Sequence, residues 1–462
     1  MKTKYTKLIY VSFVFFLLCL YGCEDYVNVD FPNSQVVGDM VFESDPLATA
    51  AVDGIYHQMF NPENFASGGQ GSVTAVAGLS ADELKASPFS PTLGEFNQNN
   101  IDPSNSRNNA VWSSAYNNIY AVNAALEQLE NSNHVSQDLR QQLRGEVYFL
   151  RAFIYFYLVN LYGELPLVTS TNFDDNALAY RVSTDEVYQL IISDLQQART
   201  LLAEAYRTGE RTQANYYTAT ALLARVSLFN GQWQDASNFS SEVIEATGLY
   251  TLNENLNDVF LANSTEAIWQ LKPIGGNTNE GDLFILNSSP ASGYLDPVYL
   301  RESFVNTFAS DDLRLLQWIN TFEIDNQLFY YPYKYKIGLS TNAPSEYSMV
   351  LRLAEMYLIR AEARYALNDN QGALEDLNTI RERAGLQSLT ISGTLLMDAI
   401  QKEKKKEFMV EWGHRWLDLK RWNLQGQVLS PLKPDWQMTD NLYPIPAQEL
   451  ERDPNLDQNL GY

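Results

Sequence analysis

Cys23 is the side chain whose chemistry is most constrained by its surroundings. The only other cysteine is Cys19, so both thiols fall within the first 23 residues. Lys2, Lys4 and Lys7 make a basic start, residues 8–20 are almost wholly apolar, and Leu20-Tyr21-Gly22-Cys23 closes the run. Basic, then apolar, then small is the order of a secretory signal. The run of about 13 residues is shorter than the roughly 20 that a spanning helix needs. Cleavage before Cys23 would leave its thiol at a new amino terminus with no partner cysteine, which suits lipid attachment. Two or three acyl chains, at about 0.8 kcal/mol per buried CH₂, would moor the protein on a membrane. The other reading is a secreted protein with one free cysteine.

Other chemistry is harder to find. His57, His134 and His414 are scattered, and no His or Cys cluster has zinc-ligand spacing. Gly68-Gly69-Gln70-Gly71 lacks the strand, helix and lysine of a phosphate loop, so it reads as a plain loop. Carboxylates are plentiful, and an acid–base pair for glycoside cleavage could be drawn from them, but none is singled out. The formal charge of −24 argues against nucleic acid as a partner, since phosphate binding needs clustered cations. Lys402-Glu403-Lys404-Lys405-Lys406-Glu407 is the one basic run, and its interleaved signs predict a solvated helix face. The 28 Tyr, 22 Phe and 8 Trp supply both core material and flat faces for ligands.

These groups need a frame. Helices are predicted at 45–59, 139–162, 214–230, 233–247, 347–367, 371–384 and 395–412. Trp112, Ala115, Tyr116, Ile119, Tyr120, Asn123 and Leu126 share one face of another. Ser183 and Glu186 form a capping-box pair opening a helix to about residue 205. Ala224, Ala236 and Val243 have the same spacing as Ala361, Ala373 and Ile380. That spacing fits the tetratricopeptide helix pair, and each pair alone also fits an ordinary helical hairpin. The polar stretch 61–107 and the Gly- and Pro-containing stretch 250–346 read as loop-rich, the latter with short β-type runs such as Ala267-Ile268-Trp269-Gln270-Leu271. Long loops in a folded domain are usually functional.

Blocks in order along the whole chain resemble the SusD/RagB nutrient-uptake lipoproteins of Bacteroidota outer membranes. They begin with the lipobox-like Leu20-Tyr21-Gly22-Cys23, Tyr120-Ala121-Val122-Asn123, Glu146-Val147-Tyr148-Phe149-Leu150-Arg151-Ala152 and Tyr162-Gly163-Glu164-Leu165-Pro166. Leu351-Arg352-Leu353-Ala354-Glu355, Asn378-Thr379-Ile380-Arg381-Glu382-Arg383-Ala384-Gly385, Arg415-Trp416-Leu417-Asp418 and Leu442-Tyr443-Pro444-Ile445-Pro446 continue them. Glu24 and Asp25 resemble the acidic signal that sends such lipoproteins to the cell surface.

The resemblance implies a mainly α fold of tetratricopeptide-like repeats with a loop-rich ligand-binding insertion. Residues 1–22 would be the signal peptide, 23–44 a lipid-anchored tether, and 45–462 the SusD-like domain. Repeats would occupy about 110–250 and 347–412, and loop-rich parts about 61–107 and 250–346. It further implies a surface-exposed binding protein, not an enzyme and without a cofactor. Such a protein closes as a lid over a SusC-like TonB-dependent barrel and delivers an oligosaccharide or peptide. A glycan-degrading lipoprotein enzyme and a tetratricopeptide scaffold for protein partners alone are the rival readings. Ligand-site candidates among the loop aromatics are Phe89, Phe96 and Asn97 in the first stretch and Tyr294, Trp318, Tyr330 and Tyr331 in the second. Aromatic rings stack on the C–H faces of sugars while Asn takes hydroxyls. Trp318 fits the core equally well, and Trp112, Trp269, Trp412 and Trp416 read as core.

Overall fold

The computed structural model describes residues 41–290 and 297–462; Cys23 and Tyr294 lie outside the described residues. The main helices in chain order are α1 (Asp45–Met59), α2 (Val73–Ser80), α3 (Pro91–Gln98), α4 (Ser106–Asn131), α5 (Gln137–Tyr162), α6 (Thr184–Leu201) and α7 (Tyr216–Phe229). Then come α8 (Trp233–Glu245), α9 (Asn279–Phe284), α10 (Leu353–Ala366), α11 (Asn370–Arg383), α12 (Thr394–Glu407) and α13 (His414–Arg421). The fold is mainly α.

Local signals explain where these helices start and stop. At α6 the Ser183 hydroxyl accepts from Glu186 N at 3.3 Å, and the Glu186 carboxylate accepts from Ser183 N at 3.1 Å, so both halves of the capping box form. Asn215 caps α7 by accepting from Thr218 N at 2.8 Å. From Phe149 to Val159, α5 is buried on every side, as befits a helix running through the middle of the body. It stops at Gly163, whose φ of +78° and tight seat against Leu442 suit no larger residue.

Successive helices pack on one another: α4 on α5, α5 on α6, α6 on α7, α7 on α8, and α10 on α11. The later helices join the earlier ones where α10 packs on α8 and on α7. Ala224, Ala236, Ala361 and Ala373 are fully buried, so these small side chains let the paired helices approach closely. Tyr120 departs from its expected face and is exposed, whereas Trp112, Ala115, Ile119, Asn123 and Leu126 are buried.

Two stretches differ from the sequence reading. Residues 348–352, expected at the start of a helix, are instead a strand, and 61–107 is not an open loop: it holds α2, α3 and a strand, and every residue of α2 is buried. The strands of three or more residues are β1 (Leu84–Ala86), β2 (Ala267–Leu271), β3 (Val298–Leu300), β4 (Ile319–Ile324), β5 (Gln327–Pro332) and β6 (Ser348–Arg352). An antiparallel sheet runs β1-β3-β5-β4, and β2 pairs with β6 as a separate buried ladder. Asp325 and Asn326, both at positive φ, turn the β4–β5 hairpin.

A buried lattice of charge stitches the loop-rich half to the helical half. Arg352, at the end of β6, reaches Glu266 at 2.9 Å, Glu407 at 2.6 Å and Glu411 at 2.8 Å. Arg314 reaches Asp312, Glu403 and Glu407, and Arg383 reaches Glu266 and Glu407. Glu403, Lys404 and Glu407 of α12 are therefore buried, and the expected solvated face of 402–407 is corrected for those three residues. Lys404 itself is held by Glu362 at 3.1 Å and Asp418 at 3.4 Å.

Candidate functional site

The segment that leaves α1 is shaped by its own short polar side chains. The Ser67 hydroxyl donates to Pro62 O at 3.0 Å and accepts from Gly69 N at 3.1 Å. The Ser72 hydroxyl donates to Gly69 O at 2.6 Å while capping α2. Gly68 sits at φ +79°, and a Cβ there would lie 2.2 Å from the Glu280 carboxyl carbon, so the backbone needs glycine twice over. Arg107, in the first turn of α4, donates to Gln70 Oε1 at 2.8 Å and contacts Glu63 at 3.4 Å. It thereby fixes two polar side chains on one rim.

The opposite wall is α9. Thr278 caps it by accepting from Gly281 N at 3.1 Å. Asn279 ties it to the first wall by donating to Phe60 O and Ser67 O, both at 2.9 Å. Between the walls lies a cleft of about 210 Å³. Glu63, Gln70, Asp282 and Asn287 give it polar groups, and Leu283, Ile285, Leu286 and Leu339 give it apolar ones. Burial raises the Asp282 carboxyl above its usual range. Behind the floor, Glu280 accepts from the Ser348 hydroxyl through one oxygen, while its second oxygen has no partner among the described residues. Burial pushes that carboxyl up to about 7; the Ser348 bond opposes the shift, and the charges of Glu346 and Glu411 add to it.

Leu286 connects this cleft to the hairpin. It packs in one apolar cluster with Phe329 and Tyr331, flanked by Tyr299 and Tyr333. Phe329 and Tyr299, meeting edge to face at 5.3 Å, also line a second depression of about 290 Å³ with Lys85, Arg301, Gln327 and Tyr330. Amides and carboxylates beside apolar and aromatic walls can hold the hydroxyls and C–H faces of a polyol. Among the described residues, no three His, Cys, Asp or Glu side chains gather as a metal site.

The sequence-predicted residues divide sharply. Tyr330 lines the second depression, and Asn97 reaches it by accepting from Arg301 Nη2 at 2.7 Å. Phe89 is exposed beyond β1. Tyr331 is mostly buried in the cluster shared with Leu286. Phe96 and Trp318 are fully buried, which corrects their candidacy as ligand platforms. Phe96 meets Tyr443 edge to face at 5.3 Å, and the Trp318 indole donates to Leu256 O at 3.0 Å. Truncating Phe96 to alanine should cost about 3–5 kcal/mol by leaving a cavity, and thermal unfolding should show a melting point several degrees lower.

Sequence reasoning missed Arg107, Asn279, Asp282 and Glu280. The signal within reach was the pair Gly68-Gly69 in a run of Asn and Ser, which marks a close backbone approach. Nothing local points to Glu280, because its partner Ser348 lies 68 positions away.

A family model described as "Starch-binding associating with outer membrane" matches residues 52–228, and one described as "SusD family" matches residues 316–440. The chain belongs to the SusD family. A curated relative, SusD-like protein P25 of Formosa agariphila, is 26% identical across 96% of this chain and 97% of its own length. In structure the chain is similar to a SusD superfamily protein of Bacteroides vulgatus, with a TM-score of 0.78 and 20% identity over 91% of this chain and 99% of that one. It is also similar to a laminarin-binding SusD-like protein, at TM-score 0.77 and 22% identity over 91% of this chain and all of the other. No helix among the described residues is long and apolar enough to cross a membrane.

Proposed function

We propose that this SusD-family protein is a surface lipoprotein that binds an oligosaccharide at the cleft between the 61–72 loop and α9, without altering it. The observation that carries the reading is the cleft itself, where Glu63, Gln70, Asp282 and Asn287 face Leu283, Leu286 and Leu339 across a gap braced by Arg107 and Asn279. The match to a family model described as starch-binding and the likeness to a laminarin-binding protein support a glycan over a peptide. Cys23 carries the lipid in this reading, and the protein closes as a lid over a SusC-like TonB-dependent barrel in the outer membrane. A tether makes the encounter with the barrel effectively intramolecular. Ligand affinity can then be modest, in the μM to mM range or about −8 to −4 kcal/mol, which permits release into the barrel.

The test has two arms. Titration calorimetry of the mature chain against neutral glucan oligosaccharides should give binding without new reducing ends. Asp282→Ala should weaken it about tenfold, the loss expected for a charge-assisted hydrogen bond of about 1.5 kcal/mol. Fractionation of cells carrying Cys23→Ala should find the protein released from the membrane. Unchanged affinity in the first arm would remove the cleft, and continued membrane retention in the second would remove the anchor.

A further inference from the structure

The basic run on α12 has a use that the glycan cleft does not absorb. Of its four lysines, Lys404 is buried on Glu362 and Asp418. Lys405 shares Asp82 with Arg415, each at 2.7 Å. Lys402 and Lys406, one turn apart, have no carboxylate within ion-pair distance among the described residues. Lys402, Lys405, Lys406 and Arg415 line a groove of about 520 Å³, closed by Thr307 and Leu424. Asp398 is the one carboxylate on that lining. Among the described residues Asp82 is the one carboxylate in an ion pair with these four cations, in a chain whose net charge is −24.

The wall behind the charges is apolar. Lys405 Nζ lies 5.3 Å from the Phe304 ring centre and Lys406 Nζ 5.5 Å from that of Phe308. Both ammonium groups thus lie over buried rings at the wall of the groove. Lys406 is half-buried, and the cations Arg314 and Arg381 face it as well as the anions Asp312 and Glu403. The pairing of Lys405 and Arg415 with Asp82 holds two of the four cations in place.

We propose that this groove binds the acidic group, a carboxylate or sulfate ester, of a charged oligosaccharide. The inference rests on the glycan reading above, at a second place on the molecule. A free inorganic ion would leave most of the groove empty, whereas small organic ligands occupy pockets of roughly 300–1,000 Å³. Lysine and arginine supply the charge, and the stems and Leu424 meet the ring's C–H face. A membrane surface is disfavoured because the cations line a concavity and two of them are tied back to Asp82.

The experiment titrates the mature chain with oligogalacturonate, with a sulfated galactan oligosaccharide, with a neutral malto-oligosaccharide and with sodium sulfate. Anionic phosphatidylglycerol vesicles form a separate arm. At least one acidic oligosaccharide should bind, with affinity falling roughly tenfold between low and high salt as exposed charges are screened. Lys402→Glu with Lys406→Gln should reduce that affinity at least tenfold, and Asp282→Ala should leave it unchanged. Lys402 is exposed, so Lys402→Glu alone is a variant expected to fold normally and to weaken binding several-fold. Equal binding by variant and wild type overturns the proposal. So does inorganic sulfate binding as tightly as the oligosaccharides, or binding to the vesicles alone. Loss of acidic-sugar binding in Asp282→Ala would instead assign that ligand to the cleft and overturn the groove. Neutral-sugar binding at the cleft is read independently, so the two readings fail separately.

Discussion

Glu407→Ala should be among the most destabilising single substitutions in this protein. The Glu407 carboxylate is fully buried and takes hydrogen bonds from three guanidinium groups, those of Arg352, Arg314 and Arg383. Burial alone would raise its pKa, but Arg383, Arg352 and Arg314 hold it well below the usual carboxylate range. Removing the carboxylate strips a partner from all three cations in a place water does not reach. Breaking one partner out of a buried pair typically costs about 3–5 kcal/mol, mostly from the charge left behind. In a domain of this size that lowers the melting point by about 3–6 °C. The comparison is Glu449→Ala, which removes the exposed Arg452–Glu449 pair and should move stability by less than about 1 kcal/mol. Thermal unfolding of the two variants decides the matter, and a Glu407→Ala melting point within 2 °C of wild type would refute the buried-lattice argument.

The same lattice marks the boundary of what could be read from residues alone. Signals that act within one or two turns were legible. The Ser183–Glu186 box, the break at Gly163 and the turn of apolar residues along α5 all depend on near neighbours. Residues 348–352 were misread because Ser-Met-Val-Leu-Arg runs straight into the apolar start of α10. A short apolar run carries no period to separate strand from helix, and only pairing with β2, some eighty positions earlier, makes it a strand. The 61–107 stretch was misread for a different reason. Its Asn64, Ser67 and Ser72 are buried, bonding to backbone groups of the same stretch, so polar composition did not mean exposure. Phe96 and Trp318 failed as platforms because a loop aromatic and a core aromatic look alike until their neighbours are known. Asn97 and Tyr330 came to one region only through Arg301, which sequence spacing could not relate to either.

Glu280→Gln should flatten part of the pH dependence of stability and raise stability at alkaline pH. Glu280 lies behind the cleft floor, its carboxyl against Gly68 and its second oxygen without a partner among the described residues. Its folded pKa of about 7 stands above the ordinary 4.5. The native state therefore holds the proton more tightly than the unfolded chain does. Below about pH 4.5 both states are protonated and the group contributes no penalty. Between about 4.5 and 7 the unfolded chain releases the proton first, so stability falls as pH rises. Above 7 the penalty is constant, at about 3 kcal/mol for a shift of this size. Glutamine cannot ionise, fills nearly the same volume and can still bond to the Ser348 hydroxyl. Urea unfolding at pH 5 and pH 8 should therefore show the variant gaining roughly that amount over wild type at pH 8 and little at pH 5. Burial also raises the Glu83 carboxyl, to about 8, with the Asp82 charge adding to it, so part of the wild-type slope should survive in the variant. Parallel pH profiles for variant and wild type would show that Glu280 ionises as freely in the folded protein as out of it, and the burial that raises its carboxyl would have to be given up.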